Sequence, residues 1–333
     1  MLDISVLTWA VTIGLIVLLL AVDLILAAVR PHRVGFGEAT AWSVFYILVA
    51  VGFGVWFASQ YGGDAGTEYF AGYIIEKSLS VDNLFVFVII MTTFAVPTEH
   101  QHKVLTFGII LALIMRAAFI ALGAALLNLF SFMFLLFGLL LIYTAVQLFR
   151  HREEDPDIED NAVVKASKKI LPVSDEYVGG KLFAKVGGRR VVTPLLIVLI
   201  AIGSVDLLFA LDSIPAVFGV TEETYIVFTA NAFALLGLRA LYFLVKGLLD
   251  RLVYLSTGLA LILAFIGVKL ILHWAHVDIN EGFPEIPTPV SLGVVVGVLV
   301  VVTIASLIKT RRDPEAVAHA GSLKASHRAP GHE

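Results

Sequence analysis

The stretch EKSLSVDN at 76–83 sets three charges, an amide and two hydroxyls inside a long apolar run. A second stretch, SVDLLFALDS at 204–213, places Asp206, Asp212 and Ser213 in equally apolar surroundings. A charge near the centre of a bilayer costs at least about 2.5–3.5 kcal/mol on insertion scales. Such groups must pair with one another or line a hydrophilic cavity. Glu76, Asp82, Asn83, Asp206, Asp212 and Ser213 offer carboxylate, amide and hydroxyl oxygens, with Ser80 beside them. Oxygen donors suit Mn²⁺, Ca²⁺ or Mg²⁺. Carboxylates inside membranes also relay protons, so the stretch is suited to a cation, a proton, or each in turn. The chain has no cysteine, and His273 falls at the end of an apolar run, which argues against a preference for Zn²⁺ or Cu⁺.

Spacing adds detail. Asn83 follows Glu76 by seven residues and Ser213 follows Asp206 by seven. Seven residues bring side chains back to within about 20° on a helix, giving two carboxylate–neutral-oxygen stripes. Glu76 and Asp82 are about 120° apart on an ideal helix. One site using both needs a helix break, expected at Ser78–Ser80 or at Pro215, or two facing partners. The other charges within apolar runs are Asp23, Lys77, Arg116, Arg239 and Lys269. Arg116 and Arg239 are each placed to hold an aspartate of another span. Lys77 diverges from Glu76 by about 100° and need not pair with it. Lys269 reads as a side chain that snorkels, and Asp23 as either site member or structural partner.

Composition sets what must position these groups. Of 333 residues, 59% are hydrophobic and 15% charged, with a mean hydropathy of +0.93. Soluble domains sit near 25% charged, so this is a multi-pass protein of the cell membrane. Without cysteine, disulfides, thiolate metal sites and thiol catalysis are excluded. Met1-Leu2-Asp3 brings no basic segment before the first apolar run, and no cleavable signal is expected. At about 20 apolar residues per crossing, nine all-α spans are read: 5–29, 40–59, 69–95, 104–126, 129–149, 194–219, 224–245, 252–275 and 289–308. Lys and Arg gather in one set of loops, around 30–33, 103, 150–190 and 246–251, and in the segment after 308. The opposite loops carry only acids, among them Asp64, Glu222, Glu223 and Glu281. The positive-inside rule then puts the N-terminus outside and the C-terminus inside.

The loop at 150–193 is therefore expected in the cytoplasm. It opens on the acidic EEDPDIED at 153–160, and KLFAKVGGRRVVTP at 181–194 alternates around Gly187-Gly188 as a hairpin would. Residues 311–333 read as a disordered tail, whose His319, His327 and His332 are read as part of it rather than as ligands. The domain reading is one membrane unit over 1–310. Within it the chain resembles itself at an offset near 123. SVDNLFVF at 80–87 matches SVDLLFAL at 204–211, LIMRAAFIA at 113–121 matches LGLRALYFL at 236–244, and YTAVQL at 143–148 matches FIGVKL at 265–270. These pair Asp82 with Asp206, Arg116 with Arg239 and Gln147 with Lys269. The units, about 69–149 and 194–275, hold three spans each, so the copies face opposite ways. Inverted repeats with a site at their interface are a feature of secondary transporters.

EKSLSVDNLFVF at 76–87 and TPLLIVLIAIGSVDLLFALDSIPAVFG at 193–219 closely resemble the signature segments of the TerC family of integral membrane proteins. The resemblance runs from about 40 to 275. It implies a LysE-type inverted-repeat transporter fold, metal-ion export with manganese as the best-supported substrate, and a link to tellurium resistance. It also implies Glu76, Asp82, Asn83, Asp206, Asp212 and Ser213 as the ion path. The function expected is export of a divalent cation, Mn²⁺ before Ca²⁺, in exchange for protons. The alternative is a membrane partner that helps insert or metalate other proteins through the 150–193 loop. Enzyme activity is not expected, because no Ser/His/Asp set, HExxH, GxSxG or phosphate-cradling glycine loop is present, and no bound cofactor is implied. Nucleic-acid binding has no support, since topology explains the basic loops, which face the lipid headgroups.

Overall fold

The computed structural model describes residues 2–29, 35–152, 161–174, 177–178, 180–186, 189–245 and 252–313. The acidic run 153–160, the Gly187-Gly188 turn, the basic 246–251 segment and the residues from 314 onward lie outside these. So does the expected disordered tail, apart from its first residues.

The described residues are mostly helical. In order they form α1 (Val6–Val29), α2 (Phe36–Tyr61), α3 (Gly63–Thr93), α4 (Thr98–Leu129), α5 (Met133–Arg150) and a short α6 (Ala162–Ile170). Two strands follow, β1 (Phe183–Val186) and β2 (Arg189–Val192), then α7 (Pro194–Phe218), α8 (Thr224–Leu235), α9 (Leu238–Val245), α10 (Leu255–Asp278) and α11 (Thr288–Arg312). The strands pair antiparallel with Val186 opposite Arg189, the hairpin that the alternation at 181–194 predicts. Among the described residues seven helices are long and apolar enough to cross a membrane: α1, α2, α4, α5, α7, α10 and α11. The count is eight if α8 and α9 form one bent span. At 31 residues α3 has the length, but Glu76, Lys77 and Asp82 lie in its middle and it is not among the seven.

Two expectations about helix breaks are corrected. Neither α3 nor α7 is interrupted at Ser78–Ser80 or Pro215. Ser78 donates its hydroxyl to the Ile74 carbonyl at 2.6 Å, a bond made inside an intact helix. Pro215 sits in the last turn of α7, so the i−4 hydrogen bond it cannot donate is lost only where the helix is about to end, at Phe218. The interruption comes instead within the expected 224–245 span, where α8 and α9 meet at 42°. Leu236 is extended there, and Gly237 takes a φ of +77°, a conformation glycine adopts without steric cost. A Cβ at Gly237 would also lie 2.6 Å from the Tyr46 ring of α2, so the bend is held tightly.

The core is built in layers. One apolar cluster joins Ile75, Leu79, Ile120, Ala210, Ile214 and the facing residues of α5 and α10. A second joins Leu84, Phe87, Leu105, Ile109, Ile202 and Val205. A third packs α1 and α2 against α8 through Phe53, Phe57, Tyr225 and Phe233. Between the first two, on the same helices, run the polar residues of α3, α4 and α7. The helices α5 and α10 cross at closest approach: a Cβ on Gly138 would lie 2.7 Å from the Gly267 carbonyl oxygen, and one on Gly267 would lie 2.8 Å from that of Gly138. Large apolar side chains of α1 (Val6, Leu18, Ile25) and α11 (Val300, Val301, Ile304) face outward, as a lipid-contacting shell requires.

A buried carboxylate pair bridged by one guanidinium

Glu76, Ser80 and Asn83 project from one face of α3, because residues four and seven apart return to the same side of a helix. All three are buried, Glu76 completely. Across from them Asp206 projects from the middle of α7 with 2% of its surface exposed. Between the two carboxylates sits Arg116 of α4, which is fully buried. One terminal nitrogen of its guanidinium donates to Glu76 Oε1, and the other donates to Asp206 Oδ1 at 3.3 Å. With its amide oriented to satisfy both atoms, Asn83 donates to the Leu79 carbonyl at 3.0 Å and accepts from Arg116 at 2.9 Å. Three helices are thus tied by one cation, and two carboxylates face one positive charge.

The tie leaves donors and acceptors over. Glu76 Oε2, Asp206 Oδ2 and Arg116 Nε are buried without a hydrogen-bond partner, as are the hydroxyls of Ser80 and Ser213 and both amide atoms of Asn231 on α8. Most buried polar atoms in folded proteins are partnered, so such a concentration of exceptions calls for a reason.

The remaining expected residues separate into other settings. Asp212, 8% exposed, accepts a 2.8 Å bond from Thr144 of α5. It lies six residues beyond Asp206, about 9 Å along the helix axis. Asp23 pairs with Arg239 at 2.7 Å, which ties α1 to α9, so Arg239 serves this structural pair. Lys77 turns away from Glu76 and donates to the Ala234 carbonyl of α8 at 3.0 Å. Lys269 is half-buried, within electrostatic reach of Glu68 and Glu285. The side chain of Asp82 lies outside the described residues, although its backbone continues α3. Among the described residues no group of three or more His, Asp and Glu is arranged so that it could hold a metal ion. Between Glu76 and Asp206 that position is taken by Arg116.

Sequence reasoning did not single out Thr144 or Asn231, since one hydroxyl or amide in an apolar helix breaks no pattern. It also passed over an acidic cluster at the end of α10. There His273 lies 3.1 Å from Glu222 and 2.8 Å from Glu285, which ties the 219–223 loop to the segment before α11. The hydrogen bond from His273 holds the Glu222 carboxyl below the usual carboxylate range. At the other end Tyr177 donates to the Phe94 carbonyl at 2.6 Å, seating the loop after α6 on the end of α3, and burial pushes its phenol up.

The model of the integral membrane protein TerC family matches residues 61–314. The chain is 44% identical over 317 residues to an uncharacterised membrane protein of Mycobacterium tuberculosis, covering 92% of this chain and 80% of that one. It is 40% identical over 314 residues to an uncharacterised membrane protein of Myxococcus xanthus, covering 94% and 95% of the two. It is 46% identical over 246 residues to the chloroplastic thylakoid membrane protein TERC of Arabidopsis thaliana, covering 74% of this chain and 62% of that one. No solved structure matches.

Proposed function

The chain belongs to the TerC family of integral membrane proteins, and we propose that it is a secondary transporter exporting divalent cations, Mn²⁺ before Ca²⁺, in exchange for protons. The observation that carries this reading is the buried pair Glu76 and Asp206, two carboxylates facing each other across three helices in an apolar core. Buried carboxylates of this kind mark ion and proton paths in membrane proteins. Asn83, Ser80, Ser213 and Asn231 supply further neutral donors and acceptors on α3, α7 and α8, and Asp212 with Thr144 extends the oxygen set along α7. Asp82, the repeat mate of Asp206, belongs to the same proposed path. The proposed inverted repeat makes α5 and α10 counterparts, the third helices of two three-helix units, and these two helices pack against each other at Gly138 and Gly267. The basic loops suit an N-terminus outside and a C-terminus inside, with nine crossings once α3 and the bent α8–α9 pair are counted.

The test is Mn²⁺ flux into liposomes carrying the purified protein, with and without a pH gradient, beside Asp206→Asn and Asp82→Asn. Gradient-dependent flux that both variants lose supports the reading, and no flux from folded, inserted protein removes it. The exposed Ile170 and Phe183 of the 150–193 loop favour the second reading, a partner for other membrane proteins. On that reading deleting the loop removes the cellular phenotype while liposomes show no ion flux.

A further inference from the structure

We propose that Arg116 is a tethered counter-cation of the transport site: its guanidinium and the transported divalent cation occupy the Glu76–Asp206 pair in turn. The inference rests on the transporter reading and names the residue that would make binding reversible. Three observations carry it.

The first is position. Arg116 contacts both carboxylates at once, and no part of it reaches the surface. A divalent ion drawing oxygens from both Glu76 and Asp206 would need the space the guanidinium fills. The second is charge. Two carboxylates and one guanidinium leave a single net negative charge, whereas two carboxylates and a divalent cation balance. Both cations together would leave an uncompensated positive charge in a medium where like charges repel strongly. The third is incomplete satisfaction. Each carboxylate has one oxygen engaged by Arg116 and one without a partner, and Arg116 Nε is also unpartnered. A purely structural tie would be expected to satisfy these atoms, because an orphaned buried polar group is costly. The contrast with Arg239, its match in the internal repeat, is informative: that arginine pairs with Asp23 of α1, outside both repeat units.

Guanidinium is suited to the role. It stays charged at every relevant pH, so its release depends on competition for the carboxylates and not on loss of a proton. Competition also has a direction. Apparent affinity for a ligand falls in proportion to the fraction of molecules able to bind it. If Arg116 is seated in about nine molecules of ten or more, removing it tightens cation binding at least about tenfold.

The experiment measures Mn²⁺ binding by calorimetry and Mn²⁺ flux in liposomes for the wild type, Arg116→Gln and Arg116→Lys, with folding checked by thermal unfolding. The expected result is at least tenfold tighter binding by Arg116→Gln with flux down at least tenfold, because the ion enters and is not expelled. Arg116→Lys is expected to bind between the two and to retain measurable flux, since an ammonium keeps the charge but makes a single-point contact. Should Arg116→Gln fail to fold, tighter binding by Arg116→Lys carries the test. Wild-type flux with unchanged or weaker binding in the folded arginine variants overturns the assignment and leaves the transporter reading standing. Absence of flux from the wild type overturns the transporter reading, and the assignment falls with it.

Discussion

Glu76 and Asp206 remain as neighbours in an apolar layer because Arg116 stands between them, and the site's behaviour follows from that charge balance. Removing one acid from the trio leaves the guanidinium with one carboxylate in place of two. On the proposed transporter function, Asp206→Asn is expected to lower Mn²⁺ flux at least about a hundredfold while the protein still reaches the membrane, with flux and surface abundance measured together. Asp212 differs, because it accepts its hydrogen bond from the neutral Thr144. Thr144→Val leaves a buried carboxylate oxygen without its donor, at a cost of about 1–3 kcal/mol. Thermal unfolding in detergent should show that loss, and an unchanged unfolding temperature would mean Asp212 finds another donor. At this scale the sequence was informative about acids and poor on their neighbours. Glu76, Asn83 and Asp206 stand out because charges and amides are rare in apolar runs. Arg116 was legible as a holder of an aspartate in another span, and it does hold Asp206. That it also holds Glu76 was not legible, because helix phase says where a side chain points and not how far a guanidinium reaches. Arg239 was expected to hold an aspartate of another span too, and the one it holds is Asp23 of α1.

The elements position this trio by two features of different legibility. The long apolar segments declared their helices through length, and the hairpin declared itself through alternation around two glycines. The bend did not. Proline and clustered serines are the stronger signs of a helix break, yet Pro215 falls where α7 is already ending and Ser78 bonds within α3. Gly237, a weaker sign by composition, carries the bend because Leu236 is extended and the Tyr46 ring leaves no room for a side chain. The crossing of α5 and α10 was equally silent, since Gly138 and Gly267 look like any glycines of an apolar helix. Here packing makes a firm prediction. A side chain at 267 would meet the Gly138 carbonyl oxygen and Ile142 at 2.8 Å, and backbone cannot step aside as a flexible side chain can. Gly267→Val is expected to cost about 1–3 kcal/mol by overpacking and to lower the unfolding temperature. Gly293→Val in α11, where an added Cβ meets nothing within 4 Å, should leave that temperature nearly unchanged.

For the whole molecule, the direction of insertion decides which helix ends meet the cytoplasm, and the charges of the connecting segments bear on it. Lys168, Lys169, Lys181 and Arg190 lie between α5 and α7, and Lys309, Arg311 and Arg312 end α11. Asp64 lies in the first turn of α3, and the loops joining α7 to α8 and α10 to α11 carry acids, with Glu222 and Glu285 gathered on His273. Basic segments resist translocation, and the proposed topology accordingly keeps the first group in the cytoplasm. The chain's lack of cysteine makes this directly measurable, because any thiol introduced is the only one present. Ser59→Cys at the end of α2 and Asn280→Cys beyond α10 should react with an impermeant maleimide on intact cells. Lys169→Cys and Lys181→Cys should react only after the membrane is opened. The reverse pattern would invert the molecule and turn the proposed export into uptake. Labelling of both sets on intact cells would mean mixed insertion, which is incompatible with a transporter that works in one direction.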